Sequence, residues 1–170
     1  MIRFRWTPAV LGLAAGLAML PRPSAAQTFS PWQATQSTTP SGRDFCSIST
    51  ATRDDDVVRN VFVKVFPAEN SVFVDLLDVA WDRPQGTSVA VAIDFADDQP
   101  LDVVAYADGT ILDIEFPTEL MSILLLELAE RNAIRFAFPD ENEAPWVVPT
   151  IGAREAVRDL ASCIRSFSGE

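Results

Sequence analysis

The chain has 170 residues, a formal net charge of −11 and no histidine. So acidic a chain repels phosphate backbones and anionic lipid, and we expect neither a nucleic-acid ligand nor adsorption to a membrane surface. Without histidine a Cys–His catalytic pair is impossible, and zinc loses its commonest nitrogen ligand. The composition therefore narrows the candidate chemistry to carboxylates, hydroxyls and two cysteines.

The first 26 residues have the three-part layout of a secretory signal. Arg3 and Arg5 make a cationic start, residues 7–20 are almost wholly apolar, and small residues precede Gln27. A membrane-spanning helix needs about 20 apolar residues, and this run is shorter. We expect a Sec-type signal peptide over residues 1–26, cleaved after Ala26. The mature protein would be periplasmic or secreted, without a stable membrane anchor.

Residues 27–170 are long enough for one domain with a hydrophobic core. The predicted signal carries three arginines and no acid, so its removal takes the net charge from −11 to −14. The start of the mature chain, residues 27–31, is predicted to be a flexible lead-in.

Cys46 and Cys163 are the two cysteines of the chain. Disulfides persist in oxidising, exported environments, and two thiols allow one intramolecular pair. Free buried thiols are the alternative. In the chain-entropy model, closing so long a loop lowers the entropy of the unfolded chain and so stabilises the folded state by about 4–5 kcal/mol. We predict the disulfide, which would join the last helix to an early strand.

The predicted elements begin with hairpins. Segments rich in β-branched and aromatic residues alternate with turn residues such as Asp108-Gly109, a strong hairpin signal. The strand-like segments are residues 32–37, 45–52, 60–66, 71–81, 88–95, 101–107 and 111–116. In the last of these, Leu112, Ile114 and Phe116 face away from Asp113 and Glu115.

The pattern then changes to that of a helix over residues 117–132, with Thr118 as N-cap. Apolar residues cover most of its circumference, which predicts burial on more than one side. A strand over residues 133–138 and a short edge strand containing Pro149 follow. Gly152 opens a final helix whose apolar stripe includes Cys163.

Many antiparallel strands and two late helices predict an α+β fold. We expect a mostly antiparallel curved sheet or a small sandwich, with two helices in the C-terminal half.

No metal site, cofactor or catalytic residue is predicted. The acidic turn supplies Asp140, Glu141 and Glu143 as candidates for a calcium site, but carboxylates in a turn are better interpreted as solubilising charges. The chain contains neither a phosphate-binding glycine motif nor a G-x-S-x-G nucleophile motif.

Aromatic residues leave two interpretations open. Trp32, Trp81 and Trp146 either line a ligand groove or fill the core, and the second is favoured. Strands carrying Phe62, Phe66 and Phe73 have two apolar faces. An uncovered face would be a binding patch, whereas a face under a helix would be core.

Four features together resemble small exported alphaproteobacterial proteins related to the invasion-associated locus B family. They are Trp32, Cys46, the stretch ELAERNAIRFAF (residues 127–138) and the stretch GAREAVRDLASC (residues 152–163). The resemblance implies a periplasmic or surface protein, in some members linked to host-cell entry. It brings no established catalytic residues.

These features favour an exported, non-enzymatic binding or interaction protein whose partner is an unknown protein or envelope component. One alternative is a hydrolase of cell-envelope glycans that works with carboxylates alone, for which two acids about 5–9 Å apart in one pocket would be evidence. The other is a structural component of the envelope.

Overall fold

A computed structural model describes residues 29–54, 57–95 and 99–168 of the chain. The predicted signal peptide and its cleavage point lie outside the described residues. The strands are β1 (Gln33–Thr38), β2 (Asp44–Asp54), β3 (Val57–Phe66), β4 (Ser71–Asp78), β5 (Ser88–Asp94), β6 (Leu101–Asp108), β7 (Ile111–Phe116), β8 (Ala133–Ala137) and β9 (Trp146–Pro149). The helices are α1 (Met121–Glu130) and α2 (Ala153–Ser168).

In the described parts of the chain, all nine strands form one open antiparallel sheet in the order β1-β2-β3-β4-β7-β6-β5-β8-β9. The predicted α+β fold is confirmed, in its curved-sheet form. Strands β5, β6 and β7 form a meander that runs back toward β4, so β7 pairs with β4. Consequently residues far apart in sequence become direct neighbours at the centre of the sheet.

Alternation along the strands divides the sheet into two faces. We call the face that carries Cys46 and packs on α2 the inner face, and the opposite one the outer face. Successive side chains of a strand point to opposite faces, so apolar residues at every second position build one continuous core. On the central strands the core residues are Val61, Val63, Val72, Val74, Leu76, Ala105, Ala107, Leu112 and Ile114.

The C-terminal helix α2 lies on the inner face over β1 and β2 and packs against α1. Of the apolar stripe that the helical spacing predicted, Ala153, Ala156 and Leu160 are buried and Val157 and Ile164 are half-buried, whereas Phe167 at its end is 37% exposed. Cys163 continues this stripe and forms the predicted disulfide with the fully buried Cys46, at a Cα–Cα distance of 6.0 Å.

The two edges of the sheet approach each other at one end, which is how the sheet curves. Trp32, just before β1, donates from its backbone N to Ile151 O (2.8 Å) and from Nε1 to Pro149 O (2.9 Å). Phe29 is buried and pairs with Thr52. The predicted lead-in is therefore fixed to the sheet from Phe29 onward, because burial of this ring outweighs the freedom of the chain.

Helix α1 differs from its prediction in burial and in its N-terminus. Only Leu124 and Leu128 are buried in it, while Ile123 and Leu126 are 52% and 57% exposed. Thr118 lies in a preceding 3-10 turn, and its hydroxyl donates to Asn70 O (3.1 Å), so it does not cap the helix. The apolar residues around α1 exceed what one sheet face can cover. Among the described residues, no helix is both long and apolar enough to cross a bilayer.

Candidate functional site

One row of side chains crosses the outer face at the centre of the sheet. Phe62 on β3 lies opposite Asp75 on β4, Asp75 lies opposite Asp113 on β7, and Asp113 lies opposite Tyr106 on β6. Directly opposite residues of antiparallel strands have Cβ atoms about 4.5–5.5 Å apart. The pairing of β4 with β7 therefore brings two carboxyl groups together, although like charges in this position are destabilising.

Asp75 is the inner member of this carboxyl pair. It is only 4% exposed, and its Oδ2 accepts a hydrogen bond from Nζ of Lys64, the one lysine of the chain. Its Oδ1 is buried and has no hydrogen-bond partner. Burial raises the pKa of Asp75 above its ordinary value, while the bond from Lys64 opposes this shift.

Asp113 is the outer member of the pair and is half-buried. Burial raises its pKa first, and the charge of Asp75 raises it further. Lys64 lowers the pKa of Asp113, whereas Glu115 on the same strand adds to the increase. The pair therefore holds protons at a pH where exposed aspartates have lost theirs.

Aromatic rings surround the carboxyl pair. The Phe66 and Phe73 rings meet edge to face at a centroid distance of 5.6 Å. Two cations of the chain already lie over neighbouring rings: Arg43 Cζ is 4.3 Å from the centroid of Phe66, and Lys64 Nζ is 5.6 Å from that of Phe62. A depression of about 150 Å³ at this point is lined by Arg43, Lys64, Phe66, Phe73, Asp75 and Asp113.

The two interpretations left open for the phenylalanines are now decided. Phe62, Phe66 and Phe73 alternate with inner-face core residues, so their rings lie on the outer face. Both described helices contribute their buried residues to the core on the inner face. Beside the phenylalanines, Tyr106 is 56% exposed. Phe62 and Phe73 are half-buried, so this part of the outer face is a surface, whereas the Phe66 ring is buried (6% exposed) among Phe45, Phe73 and Arg43.

The tryptophans, in contrast, have structural roles. Trp32 and Trp146 are buried, and Trp81 stacks on Trp146 with ring centroids 5.1 Å apart and planes 19° apart. Phe138 meets both rings edge to face. The favoured interpretation, that these residues fill the core or close its ends, is confirmed.

The acidic-turn candidates have partners within the protein. Glu143 accepts hydrogen bonds from both indoles, at Oε2 from Trp81 Nε1 (2.9 Å) and at Oε1 from Trp146 Nε1 (3.0 Å). Arg83 pairs with Glu141 (2.8 Å) and Glu143 (3.4 Å). Asp140 lies in the same turn and is exposed. In the described segments, no group of three or more acidic or cysteine side chains is arranged to hold a metal ion.

A larger groove of about 760 Å³ lies near the start of the described chain, where β2 meets β3. The described residues that line it are Phe29, Ser30, Pro31, Ala51, Thr52, Val58 and Asn60, none of which is ionisable. The depression over Asp75 and Asp113 is smaller, but its lining contains ionisable groups and is therefore the better candidate for a functional site.

Sequence patterns did not single out Asp75 or Asp113. A usable signal was present, because Asp75 interrupts the apolar run SVFVDLL and Asp113 interrupts ILDI. A carboxylate within a strand of this kind must be paired, protonated or exposed. The sequence does not show that the two face each other, since β4 and β7 are separated by two other strands along the chain.

The fold and this face define an α+β protein with one open antiparallel sheet and an acidic, aromatic outer surface. Comparison of the chain with protein-family models, with curated proteins and with solved structures gave no match. The resemblance to the invasion-associated locus B family stays a prediction.

Proposed function

We propose that the protein is an exported, non-enzymatic binding protein that contacts its partner through the outer face of β3, β4, β7 and β6. The observation that carries this proposal is the Asp75–Asp113 pair within a frame of aromatic side chains. Two opposed carboxyl groups on a partly exposed sheet face are unfavourable for stability alone, and aromatic side chains beside them are typical of a surface that contacts a partner.

Export is supported by two independent features. The first 26 residues have the layout of a secretory signal. The disulfide between Cys46 and Cys163 is of a kind that persists in oxidising compartments. We therefore place the protein in the periplasm or outside a bacterial cell. The family resemblance extends this proposal to a surface role that contributes to host-cell entry.

The small volume of the depression favours binding over catalysis. The depression at the pair has about 150 Å³, whereas sites that enclose a small molecule usually have about 300–1,000 Å³. A space of this size accepts the end of one side chain from a larger partner. It does not surround a substrate and exclude water, as electrostatic catalysis requires.

A carboxylate-only hydrolase of envelope glycans is the second candidate, and one observation favours it. Asp75 and Asp113 are two carboxyl groups at directly opposite positions of neighbouring strands, and their raised pKa values suit proton transfer. Release of reducing ends from purified envelope glycan, abolished in Asp113→Asn, would establish this activity. No release above buffer would remove it.

Site-specific photo-crosslinking tests the proposed surface. A crosslinking phenylalanine analogue is introduced at position 106 on the outer face, and at position 126 on the exposed side of α1 as a control. We expect irradiation of producing cells to give a discrete larger product from position 106 only, which excess unmodified protein suppresses. Products from both positions, or from neither, would contradict the proposal.

A further inference from the structure

We propose that the Asp75–Asp113 pair binds one cationic side chain, an ammonium or guanidinium group, of a basic peptide segment in the partner. This inference rests on the proposed binding function of the outer face and names the chemistry that this face recognises.

Charge is unbalanced at the pair. Three carboxylates, Asp75, Asp113 and Glu115, face a single ammonium group, that of Lys64. Arg43 also lines the depression, but Glu69 already pairs with it. A second cation at Asp113 would reduce this excess of negative charge, because opposite charges in a partly buried site attract more strongly than in water.

Hydrogen bonding is also incomplete at the pair. Lys64 occupies Oδ2 of Asp75, and the buried Oδ1 is left without a donor. An unsatisfied buried acceptor costs about 1–3 kcal/mol, and native structures contain few of them. A ligand N–H group that enters beside Asp113 supplies the missing donor. Lys64 lines the same depression, and its side chain is 28% exposed on a flexible stem, so it can shift to admit such a group.

The rings around the pair suit an alkyl stem that ends in a cation. Arg43 and Lys64 already place their charges over Phe66 and Phe62, so these faces accept cations in this structure. Tyr106 is directly opposite Asp113, and Phe73 is one of the residues that line the depression. A lysine or arginine stem would lie between these two rings, with its head at Asp113.

Size and net charge point to a peptide. The depression of about 150 Å³ holds one side-chain end, and the open sheet around it accepts the extended backbone that carries it. The net charge of −11 attracts basic partners over a distance of about a Debye length. A free polyamine shares the ammonium chemistry, and the experiment separates it from a peptide.

Titrations of the purified, oxidised protein with three blocked tripeptides test the inference. The probes are Ac-Gly-Arg-Gly-NH₂, Ac-Gly-Lys-Gly-NH₂ and Ac-Gly-Gln-Gly-NH₂. Binding is measured at low ionic strength from the NMR chemical shifts of the protein's backbone amides. We expect the Arg and Lys probes, but not the Gln probe, to shift resonances of β4, β6 and β7. Asp113→Asn should weaken binding at least about tenfold, equivalent to about 1.4 kcal/mol.

A matched variant controls for net charge. Asp102→Asn removes the same charge from the outer face of β6, away from the pair, and is expected to bind within about twofold of wild type. Tyr106→Leu keeps the apolar area but removes the ring, and should weaken binding several-fold. Because Asp113→Asn removes a repulsive charge, it is expected to fold, which its amide spectrum verifies.

Binding should strengthen as the pH rises through the raised pKa range of the pair, since a proton competes with the cation. The titratable and charged groups that face this site are Lys64, Asp75, Tyr106, Asp113, Glu115 and Arg43, the last of which is paired with Glu69. Equal affinity in Asp113→Asn and wild type, equal binding of the Gln probe, or tighter binding of spermidine than of both basic peptides would overturn the inference. If crosslinking from position 106 succeeds while the basic peptides fail, the outer face remains the binding surface and only its cationic specificity falls.

Discussion

Asp75 and Asp113 show how one register position creates chemistry that neither residue has alone. Each carboxyl is partly or fully removed from water, and the charge of Asp75 raises the cost of ionising Asp113. Lys64 offsets part of this cost at both carboxyl groups, through its bond to Oδ2 of Asp75 and through its charge at Asp113. When folding raises the pKa of an acidic group, the folded protein loses stability as the pH rises above the ordinary pKa of that group. Ionisation of the pair therefore destabilises the fold, and protonation removes this cost.

Asp113→Asn is expected to stabilise the protein at neutral pH. The folded-state pKa of Asp113 is raised, so its ionisation destabilises the fold above the ordinary value of 3.8, and the amide removes this loss. Below that value both forms are neutral, and the gain should disappear. Urea unfolding across the acidic and neutral range measures the effect, with Asp102→Asn as the control. A variant less stable than wild type at neutral pH would contradict the raised pKa.

Glu143 is the second residue whose role depends on tertiary structure. It accepts from Nε1 of both Trp81 and Trp146 and pairs with Arg83. A side chain that sequence patterns favour as a solubilising charge thus fixes the acidic turn to a stacked pair of rings.

Glu143→Gln should destabilise the protein by about 1–3 kcal/mol, because the new amide NH₂ cannot accept from an indole and one N–H loses its acceptor. Glu141→Gln is the matched control. It alters only the pairing with Arg83 near the surface and should cost at most about 1 kcal/mol. Chemical denaturation followed by tryptophan fluorescence gives both values. Equal midpoints for the two variants would refute the role of Glu143.

At the scale of elements, α1 and α2 differ in how their sequences specify burial. The stripe of α2 is narrow, and Ala153, Ala156 and Leu160 are buried as expected. Helix α1 is apolar on most sides, so its sequence does not identify the side that packs, and Leu126 remains exposed while Leu128 is buried. A narrow amphipathic pattern determines orientation, whereas an apolar circumference leaves it to the neighbouring elements.

The attachment of α2 to β2 gives an element-scale prediction. Cys163→Ser should lower the free energy of unfolding by a few kcal/mol, about 4–5 kcal/mol in the chain-entropy limit, because the open chain regains freedom over a separation of 117 residues. Cys163 is only half-buried, so a serine hydroxyl is tolerated there. Ser162→Ala, at the exposed neighbouring position, is the control. Equal melting of oxidised wild type and Cys163→Ser would contradict the prediction.

At the scale of the whole molecule, the disulfide and the approach of the sheet edges act together. The disulfide joins the second strand to the last helix, while Trp32 joins the first strand to the residues after β9. Both ends of the described chain are therefore fixed to the same side of one curved sheet. An exported protein gains resistance to unfolding from such closure.

The proposed export predicts both the N-terminus and the redox state of the mature protein. The protein recovered from the periplasm or medium should begin at Gln27 and weigh two hydrogens less than the reduced chain, as intact-mass measurement would show. A chain produced in a reducing cytoplasm without residues 1–26 should carry two free thiols and melt at a lower temperature. An exported form that retains its first 26 residues would refute the predicted cleavage.

The sequence by itself determined the strands, the two late helices and the disulfide. Alternation is local, so it is visible in runs such as ILDIEF, and two cysteines allow one intramolecular pairing. Only the tertiary structure decided that Asp75 faces Asp113 and that Phe62 and Phe73 lie on an open face. Those facts depend on the pairing of β4 with β7 and on the side where the helices pack. Both are set by long-range burial, which no local pattern records.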